Sequence, residues 1–111
     1  MKKFVVLYFS SVPADQQMAH ATPEQAKAGM DAWMAWGKRA AHAITDMGAP
    51  VGRGVRLTKG GRGAASSRVA GYGFFQAESA EKLAEVLDGH PHFHAPDAAI
   101  EILEVLPMPG A

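Results

Sequence analysis

Hydrophobic positions in the chain fall into six stretches whose periods alternate between strand and helix. Residues Lys3 to Phe9 are apolar at six successive positions after the lysine. In an extended chain Phe4, Val6 and Tyr8 point one way and Val5, Leu7 and Phe9 the other, so this strand is covered on both faces. Ser10 to Ala21 is polar, contains Pro13, and reads as irregular. Thr22, Pro23 and Gln25 then form a helix start: an N-cap, a proline in the first turn and a capping-box partner. The spacing of Ala26, Met30, Trp33, Gly37, Ala40, Ile44 and Met47 predicts one long helix ending at Gly48. Within it, Gly37 costs about 1 kcal/mol against alanine and allows close approach of a strand or a ligand.

Val51 to Leu57 reads as a second strand, Thr58 to Ser67 as a glycine-rich basic loop, and Val69 to Gln76 as a third strand, apolar on both faces around Gly71 and Gly73. Ser79 is the N-cap of a second helix whose inner face is Leu83, Ala84 and Leu87 and which Gly89 closes. His90 to Asp97 is a loop with two prolines, and Ala99 to Leu106 is a fourth strand. The order β-α-β-β-α-β predicts an α+β, ferredoxin-like domain over residues 1–111, with a four-stranded antiparallel sheet. Two helices cover only one face of such a sheet. Strands apolar on both faces therefore call for a partner, and a second copy of the same sheet is the simplest one. The expected assembly is a homodimer.

Composition narrows the function classes. The 111 residues carry 11 Lys+Arg and 11 Asp+Glu, so the formal net charge is +0 and there is no overall field to gather nucleic acid or an anionic membrane. There are no cysteines, which excludes thiol nucleophiles, iron–sulfur clusters and thiolate zinc sites. No apolar run is long enough for a membrane span. The six apolar residues after Met1-Lys2-Lys3 fit a first strand better than a secretory signal. The expectation is a cytoplasmic protein with no nucleic-acid or membrane partner.

Several segments carry a family resemblance. They are Lys3-Phe4-Val5-Val6-Leu7-Tyr8, Trp33-Met34-Ala35-Trp36-Gly37, Met47-Gly48-Ala49-Pro50, Gly71-Tyr72, the helix Glu78 to Ala84, Gly89-His90-Pro91-His92-Phe93 and Ile100-Glu101-Ile102. Together they resemble the YciI-like or DGPF-domain family of small dimeric α/β-barrel proteins, over nearly the whole chain. The resemblance implies a dimeric α/β barrel that is an enzyme or a small-molecule binder, because related barrels include monooxygenases and isomerases. The Asp-Gly-Pro-Phe motif of one branch is absent, and Gly60 to Arg68 stands in its place. The His–Asp pair proposed for the other branch has no counterpart, since the first helix lacks the early histidine and His90 occupies the acidic position.

The densest chemistry lies in His90-Pro91-His92-Phe93-His94, followed by Asp97. Imidazoles at this spacing titrate near neutrality, suit acid–base work and can gather on a transition metal. The plain alternative is a proline-shaped turn whose rings are solvated or cap the helix carbonyls. We take His90 and His92 as candidate catalytic residues and Tyr72, Trp36 and Trp33 as candidate substrate-binding residues, with no metal and no cofactor. Trp33 is placed on the core stripe, Trp36 just off it, and Phe93 as an anchor in the core. The basic loop with Lys59, Arg62 and Arg68 matches no phosphate-loop spacing. The expected function is binding of, or acid–base or cofactor-free oxidative chemistry on, a small, partly aromatic molecule, with isomerase, lyase or monooxygenase-like activity among the possibilities. The competing class is a non-catalytic ligand-binding or accessory protein that uses the same dimer.

Overall fold

The computed structural model describes residues 1–110. Its elements are β1 (Lys2–Phe9), α1 (Ala14–His20), α2 (Pro23–Arg39), β2 (Ile44–Pro50), β3 (Val55–Thr58), β4 (Gly61–Ala64), β5 (Val69–Ala77), α3 (Ala80–Leu87) and β6 (Ala99–Glu104), with a 3-10 turn over Pro91–His94. The architecture is α+β: a four-stranded sheet in the order β2-β5-β1-β6, with β3 and β4 forming a separate two-stranded ribbon. All three pairings in the large sheet are antiparallel. The arrangement is compatible with a ferredoxin-like fold.

Alternation along β1 decides where the core sits. Phe4, Val6 and Tyr8 are buried, and they join Trp36, Ala40, Phe75, Leu83 and Leu87 in one cluster between the sheet and the helices. The alternate set, Val5, Leu7 and Phe9, lies on the face without helices. There it pairs with Tyr72 and Phe74 of β5 and with Glu101 and Leu103 of β6. Phe74, Leu103 and Val105 are 38%, 46% and 44% exposed, an apolar surface with nothing over it.

The capping box at Thr22 forms as expected, with Gln25 N–H donating to Thr22 Oγ1 and Thr22 N–H to Gln25 Oε1. The helix does not reach Met47. It ends at Arg39, and Ala40 to Ala43 make a tight turn whose two end residues are buried. Ile44 and Met47 fell in phase with the helical stripe by coincidence; both belong to β2. Edge pairing won over helical spacing: β5 needs a neighbour, and Ile44-Thr45 is β-branched. The second strand is thus Ile44–Pro50, not Val51 to Leu57, and the basic segment expected as a loop folds with Val55–Thr58 into a ribbon. The segment expected to be irregular holds the short helix α1, begun at Pro13 without a side-chain cap.

The phase of α2 also differs. Trp36 is the fully buried residue and Trp33 is partly buried, the reverse of the expected order, while Met30 is 62% exposed. Trp36 packs on Phe75 and Ala40 is buried one turn further on, while residues 23–31 in the first half of α2 are exposed. In α3 Ser79 caps as expected, but Ala84 faces solvent.

Gly37 is approached by a flexible side chain only. A Cβ there would meet Met47 Cε at 3.6 Å and Sδ at 3.7 Å, ordinary contact distances. Gly37→Ala is therefore expected to raise stability by about 1 kcal/mol through helix propensity. A urea-unfolding midpoint that falls instead would show that the α2–β2 groove has no room.

Candidate functional site

The site is built where α3 stops. Gly89, with φ +72°, turns the chain out of the helix. His90 N–H then donates to Leu87 O at 3.1 Å, and Phe93 N–H donates back to His90 O at 3.0 Å. Pro91 opens the 3-10 turn, and the His90 ring caps it: His92 N–H donates to His90 Nδ1 at 2.9 Å. Three hydrogen bonds thus fix the backbone and ring of His90, which is 1% exposed.

The ring enters an aromatic box. Its centroid lies 4.2 Å from that of Trp36, 4.4 Å from Trp33 and 5.1 Å from Tyr8. Tyr8 in turn lies 5.3 Å from both Trp33 and His92. The chemical state of His90 follows from its contacts. Nδ1 accepts a hydrogen bond, so in the neutral ring the proton sits on Nε2. Burial, reinforced by the nearby His92, lowers its pKa to about 4, so the ring is neutral at physiological pH. Among the described residues Nε2 has no hydrogen-bond partner, and neither has the buried Trp36 Nε1. A buried donor left unpaired costs roughly 1–3 kcal/mol. Capping explains one side of the His90 ring and leaves the other unaccounted for.

His92 is held differently. Its Nε2 lies 2.8 Å from Phe9 O. A carbonyl only accepts, so Nε2 carries the proton and Nδ1 keeps a free lone pair. Nδ1 makes no hydrogen bond among the described residues. The two rings therefore present different groups: His90 an N–H at Nε2 and His92 a lone pair at Nδ1. Burial pushes the Tyr8 phenol well above its ordinary range, so it stays protonated. Asp97 braces the turn from outside. Its Oδ2 accepts from Ser11 N–H at 3.1 Å and lies 3.4 Å from an Arg68 nitrogen. The Ser11 hydrogen bond, with help from Arg68, holds this carboxyl below the usual range against a smaller opposing effect of desolvation.

The structure brings together four of the five expected residues: His90, His92, Trp33 and Trp36. Tyr72 stands apart. It pairs with Leu7 on the helix-free face and packs on Phe74 with ring centroids 6.0 Å apart. Pairing register decides this: Gly71 and Gly73 take the helix-facing positions of β5, beside Tyr8 and Val6. Phe93 does not anchor the turn; it is 48% exposed, and His90 fills the core position instead. Tyr8 is the site residue that sequence reasoning missed. Alternation gave its direction but not the loop and helix residues that meet it.

No three His, Cys, Asp or Glu side chains converge to hold a metal among the described residues. Two prominent clefts lie elsewhere. One is a shallow apolar groove of about 410 Å³ between α2 and β2, the other a cleft of about 340 Å³ near Met1 and Gln76. No helix is long and apolar enough to cross a membrane among the described residues. Neither a family model nor a curated protein matches this chain.

Proposed function

We propose that the chain is a cytoplasmic YciI-like protein with a ferredoxin-like fold, working as a homodimer of the dimeric α/β-barrel type, that binds a small, partly aromatic molecule beside His90. The observation that carries the ligand reading is the fully buried, neutral His90, boxed by Trp33, Trp36 and Tyr8, with its Nε2–H unpaired. Flat aromatic walls with one or two directional polar groups are the usual makings of a small-molecule site. His90 supplies a hydrogen bond to the ligand, and His92 Nδ1 is the group that takes up a proton where chemistry follows. Acid–base catalysis fits this division of roles better than transfer through His90, which holds no spare lone pair.

The dimer reading rests on the open sheet face. Val5, Leu7, Phe9, Tyr72, Phe74 and Leu103 form an apolar surface across three strands, interrupted by Glu101 of β6. The molecule measures 48 × 45 × 20 Å with a radius of gyration of 15.5 Å, against about 13 Å for a compact chain of this length. Its four-stranded sheet carries one helical layer, beside the separate β3–β4 ribbon, and a second sheet is what would complete it. Sedimentation is expected to give about twice the 11.7 kDa chain mass, with Leu7→Glu shifting the species to monomer or to aggregate. A stable wild-type monomer at micromolar concentration would refute the dimer.

The binding reading is tested by tryptophan emission. The chain has two tryptophans, and both touch His90. A panel of small phenols, aromatic ketones and aromatic acids is expected to contain members that change the emission saturably. The change should persist in Tyr72→Phe. A panel without a saturable response, or one whose response depends on Tyr72, would overturn the placement of the site.

A further inference from the structure

We propose that His90 and Trp36 form a paired N–H donor that recognises one neutral acceptor oxygen, the carbonyl of a flat aromatic ketone or quinone; this rests on the ligand reading above and names its ligand class. The two nitrogens concerned, His90 Nε2 and Trp36 Nε1, are the buried side-chain polar atoms without a partner among the described residues. They belong to adjacent rings, 4.2 Å apart between centroids and inclined at 56°. Both are donors: an indole nitrogen has no other role, and the proton on His90 is placed on Nε2 by the bond at Nδ1. Two unpartnered donors on adjacent rings match an oxygen with two lone pairs, which a carbonyl has.

The surroundings choose between neutral and charged oxygen. The rings packed on the pair are Tyr8, Trp33, Phe75 and His92, within an otherwise apolar cluster. Two of these titrate. Tyr8 is held protonated by burial, and His92 is committed at Nε2 to Phe9 O. Among the described residues the ring partners and the core cluster around the pair include no Lys or Arg to offset a carboxylate or phosphate, and an uncompensated anion is costly to bury. A ketone or quinone oxygen needs only the two N–H groups. Trp33 is the partly buried ring of the box.

The test uses the full-length protein and two probes of the same shape, acetophenone and ethylbenzene, with benzoate as the charged comparison. Indole N–H resonances are followed by NMR, the Trp36 signal being assigned from Trp33→Phe. Acetophenone is expected to move the Trp36 resonance downfield and to bind about tenfold tighter than ethylbenzene, the ratio that one well-made buried hydrogen bond supplies. Trp36→Phe, which keeps a ring and removes the donor, should shrink that ratio several-fold. His90→Phe should do the same; because it also removes the cap, the Trp36 variant decides if His90→Phe fails to fold. Equal binding of acetophenone and ethylbenzene overturns the donor pair and leaves the aromatic site standing. So does tighter binding of benzoate. If no probe perturbs either indole resonance, the ligand reading falls and the donor pair with it.

Discussion

Gly48→Ala is expected to destabilise the protein by about 3–5 kcal/mol, a large part of the stability of a domain this size. Gly48 sits inside β2 with φ +70°. Its N–H donates to Asp46 Oδ1 at 2.8 Å, so the Asp46 side chain ties off a bulge where the β2–β5 register slips. The bulge presses the Gly48 backbone against β5. A Cβ would overlap the Tyr72 carbonyl, lying 2.6 Å from its carbon and 2.9 Å from Gly73 Cα. Backbone atoms in a paired strand cannot step aside as a side-chain end would, and left-handed φ adds roughly 1–2 kcal/mol for any residue with a Cβ. Gly60→Ala is the control. No atom comes within 4 Å of a Cβ there and φ is not positive, so the change should stay within about 0.5 kcal/mol. Both are measured by urea unfolding at one protein concentration, since dimerisation would shift the midpoints. A Gly48→Ala loss under 1 kcal/mol would mean that the β2–β5 bulge is not formed.

Gly48 also shows what the sequence could and could not convey. That it needs a left-handed conformation is legible from its chemistry and neighbours. That it serves a bulged strand and not a helix end is not, because Ile44 and Met47 continue a helical stripe. Which reading holds depends on whether β5 demands an edge partner, and that is a long-range fact. The same division runs through the site. The Gly89-His90-Pro91 stop and the Ser79 cap are local and stand where the sequence placed them. The burial of His90, the exposure of Phe93 and the separation of Tyr72 from the histidines depend on how three strands register. A one-residue slip would exchange Tyr72 with Gly71 or Gly73 on the helix face. Alternation in β1 was strong enough to give both of its faces, and the uncovered one remains the main argument for a second copy.

Stability is expected to fall by about 3 kcal/mol as the pH drops from 6.5 to 4, with His90 as the cause. The sign follows from linkage. Unfolded, the imidazole titrates at its ordinary value of 6.5; folded, burial and then the neighbouring His92 lower it to about 4. Above pH 6.5 both states hold the ring neutral, and its burial is unaffected by pH. Between 6.5 and 4 the unfolded chain binds a proton that the folded chain refuses, so stability declines by about 1.4 kcal/mol per pH unit. Below 4 the folded state takes up the proton too, and this contribution levels off. Asp97 acts in the same direction but lower, since its carboxyl is held below its ordinary value of 3.8, which keeps the two windows apart. His90→Asn preserves a side-chain acceptor for His92 N–H, and asparagine is a good cap. Whatever that variant loses in packing, its stability between pH 6.5 and 4 should be nearly flat where the wild type slopes. The comparison is made by denaturant unfolding at half-unit steps, with the His90 ring proton followed by NMR over the same range. Parallel slopes in the two proteins, or a His90 resonance titrating near 6.5, would place the ring in contact with solvent. The neutral, single-tautomer His90 on which the proposed recognition depends would then be lost.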